Sequence, residues 1–238
     1  MSAFHEAMHL YFAKKRGVKL GLPVPLPSLQ IGTFGNITPF RSFPQSRTAL
    51  FDIALSGPLI TSLVSMSMII GGILLTINTP ADSIPNLAVV PAVLVKTSFL
   101  IGSIVTYMAP KVMMLPLSQP IPIHPLFLVG FVGLVSSALN MLPIGKLDGG
   151  RACNAVFGRR PAYLISLLTL SLMAFSALSG WSTLSIFWGL LITLFQRNAD
   201  VPIQDELSEV NDFRLGVYIF SIIITVLTLA PFPGIPGL

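Results

Sequence analysis

A chain of 238 residues, 53% of them hydrophobic and only 10% charged, with a mean hydropathy of +0.82, has the composition of a polytopic membrane protein and excludes an ordinary water-soluble enzyme. Its net charge of +5 comes from basic residues set beside apolar segments, a membrane-face pattern that gives no sign of nucleic-acid binding. Cys153 is the single cysteine, so no disulfide can close within the chain, and a small buried core position is expected for it.

The first predicted element, residues 1–13, carries His5-Glu6-Ala7-Met8-His9. On a helix, two histidines four residues apart point the same way and can share one metal ion. A glutamate beside the first can take a proton from water at that metal, which is the HExxH arrangement of zinc hydrolases with Glu6 as general base. Thirteen helical residues reach about 20 Å, short of a hydrocarbon core near 30 Å, so this helix is expected to lack upstream turns. No signal or transit peptide is visible. A basic stop follows at Lys14-Lys15-Arg16 and Lys19. Residues 20–47, with Pro23, Pro25, Pro27, Gly32, Gly35 and Pro39, read as extended pieces or a hairpin at the membrane surface.

Ile53–Thr76, in a stretch with no charge between Asp52 and Asp82, is predicted to cross the membrane. Residues 86–109 are ambiguous because they contain Pro91 and Lys96. Leu126–Lys146 is a further span, giving a helical segment 126–151 that ends in Asp148-Gly149-Gly150. The uncharged stretch 162–195 is too long for one helix; Ser179-Gly180-Trp181-Ser182 splits it into spans 162–178 and 183–196. Asp200–Asp212 reads as a solvated acidic connector, and 215–230 as the last span. The expected fold is all-α and polytopic, a single domain of about six transmembrane helices with a short surface β-hairpin region after the first.

Parity orders these spans. If His5, His9 and Asp148 meet near one face, segment 86–109 cannot be a complete crossing and is re-entrant or interfacial. That face then carries Lys14, Lys15, Arg16, Lys19, Arg41, Arg47, Arg151, Arg159, Arg160, Arg197 and Arg214, against Lys96 and Lys111 on the other. The positive-inside rule makes the basic face cytosolic, or stromal in a plastid.

A catalytic zinc site needs a third protein ligand and an open fourth position. The candidates are His124, Asp52, Asp82 and Asp148. Asp148 is the best of them, because a carboxylate at the edge of hydrocarbon is costly unless paired or metal-bound, and Gly149 and Gly150 allow close backbone approach. His124 before Pro125 reads as an interfacial or capping residue; Asp52 and Asp82 as membrane-boundary groups in water; Lys146 and Arg151 as interface markers. Asn140 in mid-span wants a partner: a helix-to-helix hydrogen bond, or a substrate carbonyl or oxyanion.

Together, His5-Glu6-Ala7-Met8-His9, Ser56-Gly57-Pro58 and the run from Asn140-Met141-Leu142-Pro143 to Asp148-Gly149-Gly150-Arg151 resemble the site-2 protease family of intramembrane zinc metalloproteases. Gly32–Thr38 and His124-Pro125-Leu126 further resemble its plant plastid and cyanobacterial branch. The resemblance implies one zinc ion held by His5, His9 and Asp148, Glu6 activating water, and Asn140 positioning substrate. It implies an endopeptidase acting on membrane proteins whose transmembrane segments unwind locally, in a plastid membrane or, alternatively, a bacterial plasma membrane. The 20–47 region could pair with the unwound strand. The competing reading is an inactive zinc-binding scaffold or metal carrier, against which the intact Glu6 argues.

Overall fold

The computed structural model describes residues 1–28, 32–80, 87–178 and 200–233. The expected span 183–196 and Asp82 lie outside them. The described elements are mostly helical. Helix α1 (Ser2–Lys15) is followed by strands β1 (Val24–Ser28) and β2 (Gly32–Ile37) and helix α2 (Arg47–Ile77). Next come β3 (Ala88–Pro91), α3 (Val93–Lys96), α4 (Phe99–Met108), α5 (Pro110–Met113) and β4 (Pro120–Ile123). Helices α6 (Pro125–Asn140), α7 (Asp148–Phe157), α8 (Arg159–Leu178) and α9 (Asp212–Leu229) complete the order.

The chain divides into two compact units. One comprises Ser2–Ile60 and Leu139–Ile222; its core joins Ala13, Leu50, Phe51, Ile53 and Leu55 to Met141, Ala152, Cys153 and Tyr218. Here β1 and β2 pair antiparallel from Val24↔Ile37 to Ser28↔Gly32, the hairpin expected within 20–47. Pro25 and Pro27 cannot donate to a second ladder, which confines β1 to an edge. Asp52 is not a group in water. Its side chain is 13% exposed, and its carboxylate holds Arg16 at the end of α1 and Arg214 at the start of α9. The acidic connector is docked as well: Gln204 and Asp205 donate their backbone N–H groups to Pro44 and Gln45 carbonyls, and Arg159 pairs with Glu206. The unpaired backbone left by the prolines and turns of 39–46 gives this strap its partners.

The other unit contains Thr61–Ala138 and Ile223–Leu238, together with Met1. Its core is built from Ile69, Ile73, Val95, Ile101, Val105, Phe127, Phe131 and Leu134. The described residues of segment 86–109 hold no helix long enough to cross a membrane: they divide into β3, which pairs with β4, the short α3, and the ten-residue α4, whose N-cap is Ser98. Glycine permits close packing of α2 on α6, since a methyl at Gly72 would strike the Phe127 backbone and one at Gly130 the Ser65 carbonyl. Thr61, Ser65 and Ser137 bury hydroxyls that have no hydrogen-bond partner among the described residues. Other helical hydroxyls here, such as Thr76 and Ser67, bond the carbonyl one turn back.

Helices α2 (31 residues) and α9 (18 residues) are long and apolar enough to cross a membrane. Only 28% and 22% of their most apolar windows are buried, unlike a soluble core helix. Helix α8 likewise exposes Tyr163, Leu164, Leu167, Leu168, Leu172 and Phe175. The expected continuous helix 126–151 is corrected: α6 stops at Asn140, a turn spans 141–147, and Asp148 opens α7. Pro143 cannot donate to a helical ladder, and Gly145, at φ 44°, turns the chain into the left-handed region.

Candidate metal centre

The HExxH residues lie on α1 with His5, Glu6 and His9 all buried. One helical turn brings the imidazoles together, with Nε2 atoms 2.8 Å apart. Asp148 Oδ2 lies 3.0 Å from His5 Nε2 and 3.3 Å from His9 Nε2. Three donor atoms from α1 and α7 therefore converge on one point.

Local folding fixes each of them. His9 Nδ1–H donates to the Ile53 carbonyl at 2.7 Å, which leaves Nε2 as the lone-pair nitrogen turned toward Asp148. The Ile53 carbonyl also accepts from Ser56 Oγ at 2.8 Å, and Pro58, inside α2, leaves the adjacent Ala54 carbonyl without its helical N–H. Gly57 keeps the turn clear. A methyl there would lie 2.4 Å from His9 Nε2 and 2.8 Å from His5 Nε2. Asp148 is the first residue of α7, where the helix dipole favours an anion. Burial disfavours its ionised form, but positive charge at the His9 and His5 imidazoles outweighs that and holds its carboxyl well below the usual range. Gly149 and Gly150 let the start of α7 press onto the preceding turn: a methyl at 149 would sit 1.9 Å from the Met141 carbonyl oxygen, and one at 150 would sit 2.4 Å from that of Gly145. Tyr218 Oη donates to the Gly149 carbonyl at 3.3 Å.

The donor set fits a zinc-sized cation. Two imidazole nitrogens and a carboxylate oxygen at 2.8–3.3 Å repel one another unless positive charge lies between them, and they are a catalytic zinc's ligand types. Glu6 could contribute a further oxygen, since His5, Glu6 and His9 offer ligand atoms within 4.8 Å of one another. Its oxygens are already engaged, by Asn36 Nδ2 at 3.1 Å and Thr38 Oγ1 at 2.7 Å.

Of the other sequence candidates, His124 belongs to the second unit and caps α6, with its Nδ1 accepting the Leu126 N–H at 3.2 Å. Asp52 is taken up by Arg16 and Arg214. Asn140 is 2% exposed, and its Oδ1 has no partner among the described residues. Cys153 is buried and burial pushes its thiol up, leaving it an inert core side chain. Arg151 is 4% exposed, with its guanidinium held by Asp200 and by the Thr38 carbonyl. It shares a cavity of about 240 Å³ with Lys146, Asp200, Ile37, Pro39 and Phe40. Sequence reasoning gave Asn36 and Thr38 no role, although both lie in the Gly32–Thr38 stretch that resembles the plastid branch and are spaced by two in a segment read as extended.

The sequence model that matches residues 1–178 is that of peptidase family M50, the site-2 proteases. The chain belongs to this family. It is 37% identical over 232 residues to "Probable zinc metalloprotease EGY1, chloroplastic" of Oryza sativa subsp. japonica, covering 96% of the chain and 38% of the rice protein. To the protein of the same name from Arabidopsis thaliana it is 35% identical over 232 residues, covering 96% of the chain and 40% of that relative. To "Probable zinc metalloprotease EGY2, chloroplastic" of Oryza sativa subsp. indica it is 31% identical over 229 residues, covering 96% of the chain and 40% of the relative. The chain thus spans about two-fifths of the length of these relatives. No solved structure matches it.

Proposed function

We propose that this M50 chain is the catalytic part of a zinc metalloendopeptidase that cleaves transmembrane or membrane-proximal segments of membrane proteins, with His5, His9 and Asp148 as ligands of one zinc ion. The observation that carries this reading is the convergence of His5 Nε2, His9 Nε2 and Asp148 Oδ2 within 3.3 Å, with the Glu6 carboxylate beside them. Bound zinc would supply Lewis acidity, lowering the pKa of water toward about 7 and polarising the scissile carbonyl.

The chain's own residues do the rest. Glu6 takes a proton from the attacking water at a carboxylate oxygen and hands it to the leaving amine nitrogen. Asn36 Nδ2 and Thr38 Oγ1 donate to the two Glu6 carboxylate oxygens and so fix the orientation of the base. The Ile53 carbonyl keeps His9 in the ligating tautomer. Asn140 is the amide we assign to substrate positioning, its buried Oδ1 otherwise without a partner among the described residues.

A membrane setting is supported by the exposed apolar faces of α2, α8 and α9. Together with α2 and α9, helices α1, α6 and α8 and the expected span 183–196 would make a polytopic domain of about six spans. Among the described residues, every lysine and arginine except Lys96 and Lys111 belongs to the unit with the metal cluster, which agrees with a basic stromal or cytosolic face. The chloroplastic relatives favour a plastid membrane. The β1–β2 hairpin offers an edge for an unwound substrate strand. An inactive scaffold or zinc carrier would have no use for a glutamate held by two donors.

The test is zinc analysis together with cleavage of a single-span substrate by the full-length wild type and its Glu6→Gln variant. Zinc retained with cleavage abolished is expected. Unchanged cleavage by the variant would remove Glu6 as the base.

A further inference from the structure

The two oxygens of Glu6 are held separately. Asn36 Nδ2 donates to Oε1 and Thr38 Oγ1 to Oε2, and on extended backbone residues spaced by two face the same way. Ile37 and Pro39, in the alternating positions, line the cavity instead. The strand that carries these donors is itself fastened from α7. Arg151 Nη1 donates to the Thr38 carbonyl at 2.8 Å. The same guanidinium makes a two-pronged pair with Asp200, Nε to Oδ2 at 2.6 Å and Nη2 to Oδ1 at 3.2 Å, and lies 4.4 Å over the Phe40 ring.

Three simultaneous demands, on a carbonyl, a carboxylate and a ring face, suit a planar five-donor fork and not an ammonium. Arg151 lies one helical turn after Asp148 on the same ten-residue helix. Asp200 begins the strap that docks on residues 44–46.

We propose that Asn36 and Thr38 are positioning residues for the catalytic base, and that Arg151, oriented by Asp200, latches their strand to α7 so that the base and the ligand Asp148 keep one fixed geometry. This rests on the reading of Glu6 as the base. The latch acts through Thr38 and touches neither the metal ligands' donor atoms nor the substrate.

The test uses the full-length, zinc-loaded protein. Thr38→Val removes one donor at nearly constant shape. We expect zinc content equal to wild type, KM within about twofold, and kcat lowered on the order of ten- to a hundredfold, with Thr38→Ser returning it to within a few fold. A kcat within twofold of wild type in Thr38→Val, or loss of its zinc, overturns the assignment of Thr38. Arg151→Lys is read by amide hydrogen exchange over residues 36–40, which needs no cleavage. Exchange at least about tenfold faster there, with zinc retained, supports the latch. Unchanged exchange overturns it. If the wild type cleaves nothing, the protease reading fails on its own, while the exchange measurement still decides the latch.

Discussion

Gly57→Ala tests the metal centre most directly. A methyl at this position would lie 2.4 Å from His9 Nε2 and 2.8 Å from His5 Nε2, where ordinary contact begins at 3.4 Å. The shortfalls are about 1 Å and about 0.6 Å, several times the roughly 0.2 Å tolerance of a zinc–ligand bond. His9 cannot swing aside without breaking its 2.7 Å bond to Ile53, which belongs to the same helix as the new methyl. Loss of an outer-shell partner alone weakens metal binding on the order of 10- to 100-fold, so displacing two ligands should cost at least about a hundredfold. The backbone of α2 should not suffer, because alanine is a better helix former than glycine by about 1 kcal/mol. Competition against a chromophoric chelator measures zinc affinity, and circular dichroism of the same sample reports helix content. Affinity within about threefold of wild type, with the fold intact, would mean that the imidazoles do not converge against Gly57.

Two further substitutions probe the scaffold. Asp52→Asn keeps an acceptor but leaves Arg16 and Arg214 without a counter-charge, and should lower unfolding stability by about 1–3 kcal/mol, read as an earlier melting transition in detergent. Ser65→Ala should cost less than about 1 kcal/mol or stabilise, because the buried Ser65 hydroxyl has no described partner to lose; a loss above about 2 kcal/mol by the same melting assay would show that it is engaged.

Much of the centre was legible because the HExxH spacing is helical and Asp148 is a carboxylate where hydrocarbon was expected. The hairpin was legible from its prolines and glycines. What escaped depended on long-range contacts. Thr38 meets Glu6 across 32 residues, and Arg151 meets Thr38 across 113. No periodicity records such pairs, so neither the Asp200 partner of Arg151 nor the contacts of the connector with residues 44 and 45 could be read. Pro143 marks a local break of the ladder, but hydrophobicity that continues through Met141-Leu142-Pro143-Ile144 hides that the helix ends at Asn140 and does not resume before Asp148.

The docked strap has a consequence for the order in which the centre is assembled. His5, His9 and Asp148 are all synthesised before Asp200, so a growing chain holds its full ligand set while Arg151 still lacks its counter-ion. On the proposed reading, the ligand set is then complete before the base is aligned. On that reading, a nascent chain, or one cut between Phe157 and Asp200, would hold the three proposed ligands with the base not yet latched.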